Sequence, residues 1–187
     1  MTTFTLKSYQ QAALDVLVRF ARTAQMNGVA QAFRAQAGHG YNDAAFGKTP
    51  CVCLRIPTGG GKTLLAAHAV QVMAKEWQST DAPVAVWLVP SDTIRTQTLT
   101  ALQTAGHPYR EALAAHYGAG VRVCTLEDVA NIAPPDWGLQ AVVVVATIQS
   151  FRVDDTDKRN VYSFSEGFER HFKGVNDQRL RVLSDLP

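Results

Sequence analysis

At 187 residues, with 47% hydrophobic and 18% charged side chains, the chain is long enough for one well-buried core and too apolar for wholesale disorder. Eighteen Lys and Arg against 16 Asp and Glu leave a net charge of +2, far from the excess of a domain that coats nucleic acid, so any such contact must be local. No apolar run approaches the roughly 20 residues of a membrane span, and Met1-Thr2-Thr3-Phe4-Thr5 has neither the basic nor the apolar part of a signal peptide.

Taken in chain order, the first element is a helix from Ser8 to about Met26, with Leu14, Leu17, Val18 and Ala21 at helical spacing. Gly28 interrupts it, and Val29–Ala37 can resume a helix. The stretches 38–43 and 47–50 are rich in turn residues and read as loop. Cys51–Ile56 is expected to be the first core strand. Its Cys51 and Cys53 point to one face, either as buried thiols or as half of a zinc site that lacks a second ligand pair. With Cys124, they are the chain's three cysteines, and this usage agrees with a cytoplasmic location.

The next segment carries the chemistry. Pro57-Thr58-Gly59-Gly60-Gly61-Lys62-Thr63 lies between that apolar segment and a long helical pattern, Leu64 to about Gln78. Consecutive glycines let backbone N–H groups converge on one point without Cβ obstruction. The following helix aims the positive end of its dipole at the same point. Lys62 supplies a mobile cation for β- and γ-phosphates, and the Thr63 hydroxyl suits Mg²⁺. The segment therefore reads as a phosphate loop for a nucleoside triphosphate.

Beyond it, Val84–Val89, ended by Pro90, reads as a strand covered on both faces. Helices are expected over Thr93–Ala105 and Pro108–Tyr117, a strand over Val121–Thr125, a short helix over Leu126–Ile132 and the most buried strand over Ala141–Ala146. Alternating strands and helices imply an α/β fold with a parallel sheet and helices on both faces. Past Phe151 the pattern weakens: Asp154–Asn160 reads as a solvated loop, and Glu166–Lys173 and Asn176–Leu183 as weak helices. The five histidines, at 39, 68, 107, 116 and 171, show no ligand spacing and read as structural.

Four blocks, in order between Leu6 and Phe151, give the chain a resemblance to the first RecA-like domain of superfamily-2 DEAD/DEAH-type helicases, and most of all to the motor subunit of type III restriction enzymes. Leu6-Lys7-Ser8-Tyr9-Gln10-Gln11 resembles the adenine-reading block, Pro57–Thr63 the phosphate loop, Val89-Pro90-Ser91-Asp92-Thr93 with Arg95 and Gln97 the block named Ia, and Ala146-Thr147-Ile148-Gln149-Ser150-Phe151 a later strand-end block. Ile56 stands where the general phosphate-loop pattern has its first glycine, a departure these helicases share. The resemblance implies ATP and Mg²⁺ as cofactors, bound by Gln10, Thr58, Gly59, Gly60, Gly61, Lys62 and Thr63, with Thr63 on the metal and Lys62 and Thr63 in the catalytic role. A glutamine amide offers the donor and acceptor that adenine's N7 and N6 amino group require; the alternative for Gln10 is an ordinary exposed helix residue. The resemblance also implies DNA-backbone contacts from Ser91, Thr93, Arg95, Thr147 and Gln149, although Ser91, Asp92 and Thr147 can equally be helix caps. A modification (methyltransferase) subunit is an implied partner, and a membrane is not.

On this reading residues 1–151 form a partial RecA-like domain: an adenine-block helix at 6–26, a loop insertion at 27–50 and a phosphate-loop core at 51–151. Residues 152–187 are then an extension leading toward an acidic block. That block, Asp-Glu-Ala-His or a variant after a buried strand, does not occur in the 187 residues; Glu127-Asp128 has the wrong order and Asp154-Asp155 follows no buried strand. Without it and a second RecA-like domain, hydrolysis by the chain alone is expected to be nearly absent. Two other readings stand beside the motor: a stand-alone, non-hydrolysing ATP-binding module or adaptor, and a small-molecule kinase, disfavoured by the lack of lid arginines.

Overall fold

The computed structural model describes residues 5–118, 120–132 and 138–151. The extension from 152 onward, with its expected loop and weak helices, lies outside the described residues.

Helix α1 spans Ser8–Asn27 and buries Leu14, Leu17, Phe20, Ala21 and Ala24, one stripe at i, i+3, i+4 spacing. It ends where Gly28 takes φ +89° and returns its N–H to Ala24 O at 2.9 Å. Helix α2, Val29–Ala37, follows at once, stopped by Gly38 in the left-handed region. A four-residue helix, α3 (Asp43–Phe46), sits in the turn-rich stretch. There Tyr41 stacks edge-on with Phe33 and accepts the Cys51 N–H at 3.0 Å.

Helix α4 is Lys62–Met73, and its last turn widens into a π-type turn over Ala74–Gln78. Its sequence is apolar all round because it is packed on two sides. Leu64 and Ala67 join the sheet-side core with Val143, Val145, Leu102 and Leu113. Val72, with Ala69 and Met73, joins the outer core with Leu17, Phe20 and Val29. The remaining elements are β1 (Val84–Val89), α5 (Asp92–Gln103), α6 (Pro108–Tyr117), β2 (Val121–Thr125), a 3₁₀ turn (Glu127–Asn131), β3 (Ala141–Thr147) and a closing 3₁₀ turn (Ile148–Phe151).

The three strands form a parallel sheet in the order β1-β3-β2, with Val84 opposite Val142 and Val121 opposite Ala141. β3 is central and buried along its whole length, as its valine run requires. The passage from β1 outward to β2 carries α5 and α6 over the face that α4 covers. The return to β3 reverses direction, so right-handed crossing puts residues 126–132 on the opposite face, where Leu126, Val129 and Ile132 cover Cys124, Val142 and Val144.

Two expectations change. Cys51–Ile56 pairs with no strand among the described residues, leaving Val52, Cys53 and Arg55 exposed. A strand is defined by its neighbour's hydrogen bonds, which an apolar run alone does not provide. β1 is covered on one face only. Ala85 and Trp87 reach the core, whereas Val84, Val86 and Leu88 remain 48%, 55% and 51% exposed on what is an edge strand among the described residues. Beside that edge lies a groove of about 430 Å³ lined by Ala66, Val70 and Met73 of α4.

Candidate functional site

The phosphate loop is built by backbone geometry. Gly59 and Gly61 have φ of +76° and +79°, conformations that L-residues avoid. Gly60 has no room for a side chain: a Cβ there would stand 2.6 Å from Ile56 Cγ2 and 2.9 Å from Pro57 O. Gly60 N–H closes a turn on Pro57 O at 3.0 Å, and Lys62 Nζ donates to the same carbonyl at 3.0 Å. Gly61 is the N-cap of α4, so the N–H groups of Lys62, Thr63 and Leu64 open the helix without intrahelical acceptors. The positive helix terminus, the exposed Lys62 ammonium and the Thr63 hydroxyl therefore share one mouth. Because α4 leads back into a parallel strand, this mouth lies at the carboxyl end of the sheet, where α/β folds hold ligands.

The adenine-block residues are brought to this loop across fifty positions of sequence. Gln10 is buried (6% exposed). Its Nε2 donates to Gly60 O at 2.9 Å, and its Oε1 accepts the Lys7 N–H at 2.9 Å. An amide has two donor hydrogens and two acceptor positions, so one of each is left. Tyr9 is 41% exposed, and its hydroxyl donates to Gly60 O at 3.1 Å. Sequence reading missed its contact with the loop, since nothing in the spacing distinguishes a core tyrosine from one tied to a backbone carbonyl.

The blocks at the ends of β1 and β3 also meet. The two strands run in register to Val89 opposite Thr147, and Gln149 Nε2 donates to Pro90 O at 3.3 Å. Ser91 Oγ caps α5, accepting Ile94 N–H at 3.4 Å. Thr93 is exposed beside it, and Arg95 Nε is paired with Asp92 Oδ1 at 2.9 Å. Thr147 is buried and caps the closing 3₁₀ turn through Ser150 N–H at 3.2 Å. The hydroxyls of Ser91 and Thr147 thus do capping work, while Thr93, Arg95 and Gln149 offer the accessible polar groups.

The acidic pair 127–128 is structural as well. Asp128 accepts from Thr125 N–H at 3.0 Å and from its hydroxyl at 2.8 Å. These bonds hold its carboxyl below the usual range. His68 and His116, unrelated by spacing, face each other across α4 and α6 with ring centroids 6.3 Å apart. Both are held below the ordinary histidine range, chiefly by burial. No group of three or more metal-binding side chains occurs among the described residues, and no helix there is long and apolar enough to cross a membrane.

A parallel α/β sheet with a glycine-built loop opening the central helix defines a P-loop domain of the RecA-like class. Residues 3–175 match the family model described as type III restriction enzyme, res subunit, and the chain belongs to that family. It is thereby an ATP-binding, helicase-type domain. No curated protein and no solved structure matched it.

Proposed function

We propose that this chain is the nucleotide-binding N-terminal portion of the first RecA-like domain of an ATP-dependent DNA translocase or helicase from a type III restriction-like system. The observation that carries the reading is the loop at Gly59–Thr63: two left-handed glycines flank a third with no space for Cβ, at the start of the helix between two cores. A cradle so confined by its own backbone suits phosphate oxygens approaching N–H groups. In this reading Thr58, Gly59, Gly60, Gly61 and Lys62 hold the triphosphate, with Lys62 exchanging Pro57 O for a phosphate oxygen. Thr63 ligates Mg²⁺, and Gln10 reads adenine with its remaining donor and acceptor. Bound ATP-Mg²⁺ supplies the transferable phosphoryl group; these residues bind and orient it.

The surface where β1 and β3 end, with Ser91, Thr93, Arg95, Thr147 and Gln149, is the proposed DNA-backbone contact, and a modification subunit the proposed partner. Hydrolysis requires a water-orienting carboxylate, and the acidic block that would carry it does not occur in the sequence, so in this reading the chain alone binds ATP and turns it over negligibly. Titration of ATP-Mg²⁺ and GTP-Mg²⁺ into the wild type, Lys62→Ala and Gln10→Ala tests the proposal. Loss of binding in Lys62→Ala and loss of the preference for ATP in Gln10→Ala are expected. Undiminished binding by Lys62→Ala would overturn it.

A further inference from the structure

Two side chains of α1, from adjacent positions, converge on one carbonyl of the phosphate loop. Tyr9 Oη lies 3.1 Å and Gln10 Nε2 2.9 Å from Gly60 O. In a trans peptide the C=O of one residue and the N–H of the next point in opposite directions. Holding Gly60 O toward α1 therefore turns the Gly61 N–H away from α1. The constraint matters because glycine is the residue most free to rotate that peptide. Both residues of that peptide are glycines, and Gly61 holds φ at +79°.

The two donors are not equivalent. Gln10 is buried and has amide capacity left for a base, so its bond to Gly60 is one that a bound base can perturb. Tyr9 has one hydroxyl hydrogen, directed at Gly60 O, and as a residue is 41% exposed. We propose that Tyr9 is a positioning residue for the phosphate loop: its hydroxyl fixes the Gly60–Gly61 peptide so that the Gly61 N–H faces the phosphates, whatever base the nucleotide carries. This rests on the phosphate-loop reading above and adds a residue that reading does not use.

The test is Tyr9→Phe, which removes one oxygen from a half-exposed side chain and keeps its shape. Affinities for ATP, GTP and base-free inorganic tripolyphosphate, each with Mg²⁺, are measured beside Lys62→Ala, together with the thermal midpoint without ligand. One neutral hydrogen bond corresponds to a loss of about fivefold, and it is expected equally for all three ligands. A role confined to stability would lower the midpoint and leave the three affinities unchanged, which overturns the proposal. Weaker ATP binding with tripolyphosphate unaffected would place Tyr9 on the base and also overturns it. If the wild type binds none of the three, or Lys62→Ala binds as well as wild type, the phosphate-loop reading itself fails and the role of Tyr9 fails with it.

Discussion

Replacing Gly61 by alanine should damage the loop through two separable costs. The first is conformational: φ is +79°, and an L-residue in the left-handed region costs about 1–2 kcal/mol. The second is steric: the new Cβ would stand 2.5 Å from Gln10 Nε2. Gln10 must swing out, giving up its bonds to Gly60 O and from Lys7 N–H, each worth about 1 kcal/mol. Together the two costs come to about 3–4 kcal/mol, a large share of the stability of a chain this size. Gly59→Ala is the control, because φ is +76° but nothing lies within 4 Å of its Cβ position. Only the conformational cost of about 1–2 kcal/mol applies there. Urea unfolding of the two variants, compared at unchanged slope, gives the difference directly. The expected order is Gly61→Ala well below Gly59→Ala, and adding Gln10→Ala should bring them nearly level. Equal midpoints in the single variants would refute the placement of Gln10 against the loop.

Two other outcomes follow from the described surfaces. His68 and His116 have pKa values depressed from 6.5, so the unfolded chain takes up their protons first as pH falls. Stability is therefore intact above about pH 6.5 and declines as pH drops from there through the folded values; His68→Gln should flatten that decline in unfolding midpoints between pH 7 and 5, and an unchanged slope would count against the pair. The half-exposed Val84, Val86 and Leu88 of β1, an edge strand among the described residues, should make the isolated chain self-associate; Leu88→Lys should shift it toward monomer in light scattering, and a wild type already monomeric at high concentration would contradict this.

The legible elements were those whose signal is local. The four-valine run gave β3 because only burial on both faces tolerates it, and Val121–Thr125 and Pro108–Tyr117 have the bounds their punctuation indicates. Helix α1 likewise follows from its stripe and Gly28. Cys51–Ile56 failed as a strand because pairing is a property of two segments, and no second segment is written in the first. β1 differed for a related reason: an apolar run shows that a residue can be buried, while its neighbours decide whether it is. At the site, the loop was readable from the order of its residues, three glycines and Lys62-Thr63 directly before a helical pattern. The bonds of Tyr9 and Gln10 to Gly60 were not, since they depend on how α1 lies against α4.

That packing explains why the loop is set from the side of α1. Helix α1 is tied to α4 and its π-type turn at both ends. Near its start, Tyr9 and Gln10 bond the residue two before α4 begins. Near its end, the Arg22 guanidinium makes two bonds to the Glu76 carboxylate, at 2.5 and 3.0 Å, and Gln25 Nε2 donates to Ser79 Oγ at 2.7 Å. Between them, Leu17, Phe20 and Ala24 share one buried cluster with Val72. The exposed Arg22–Glu76 pair adds little energy on its own. Its position nevertheless resists a slide of α1 along α4, and such a slide would carry Tyr9 and Gln10 off Gly60. The register of two packed helices thus fixes one peptide group in the phosphate loop, and the sheet beneath sets where that loop stands.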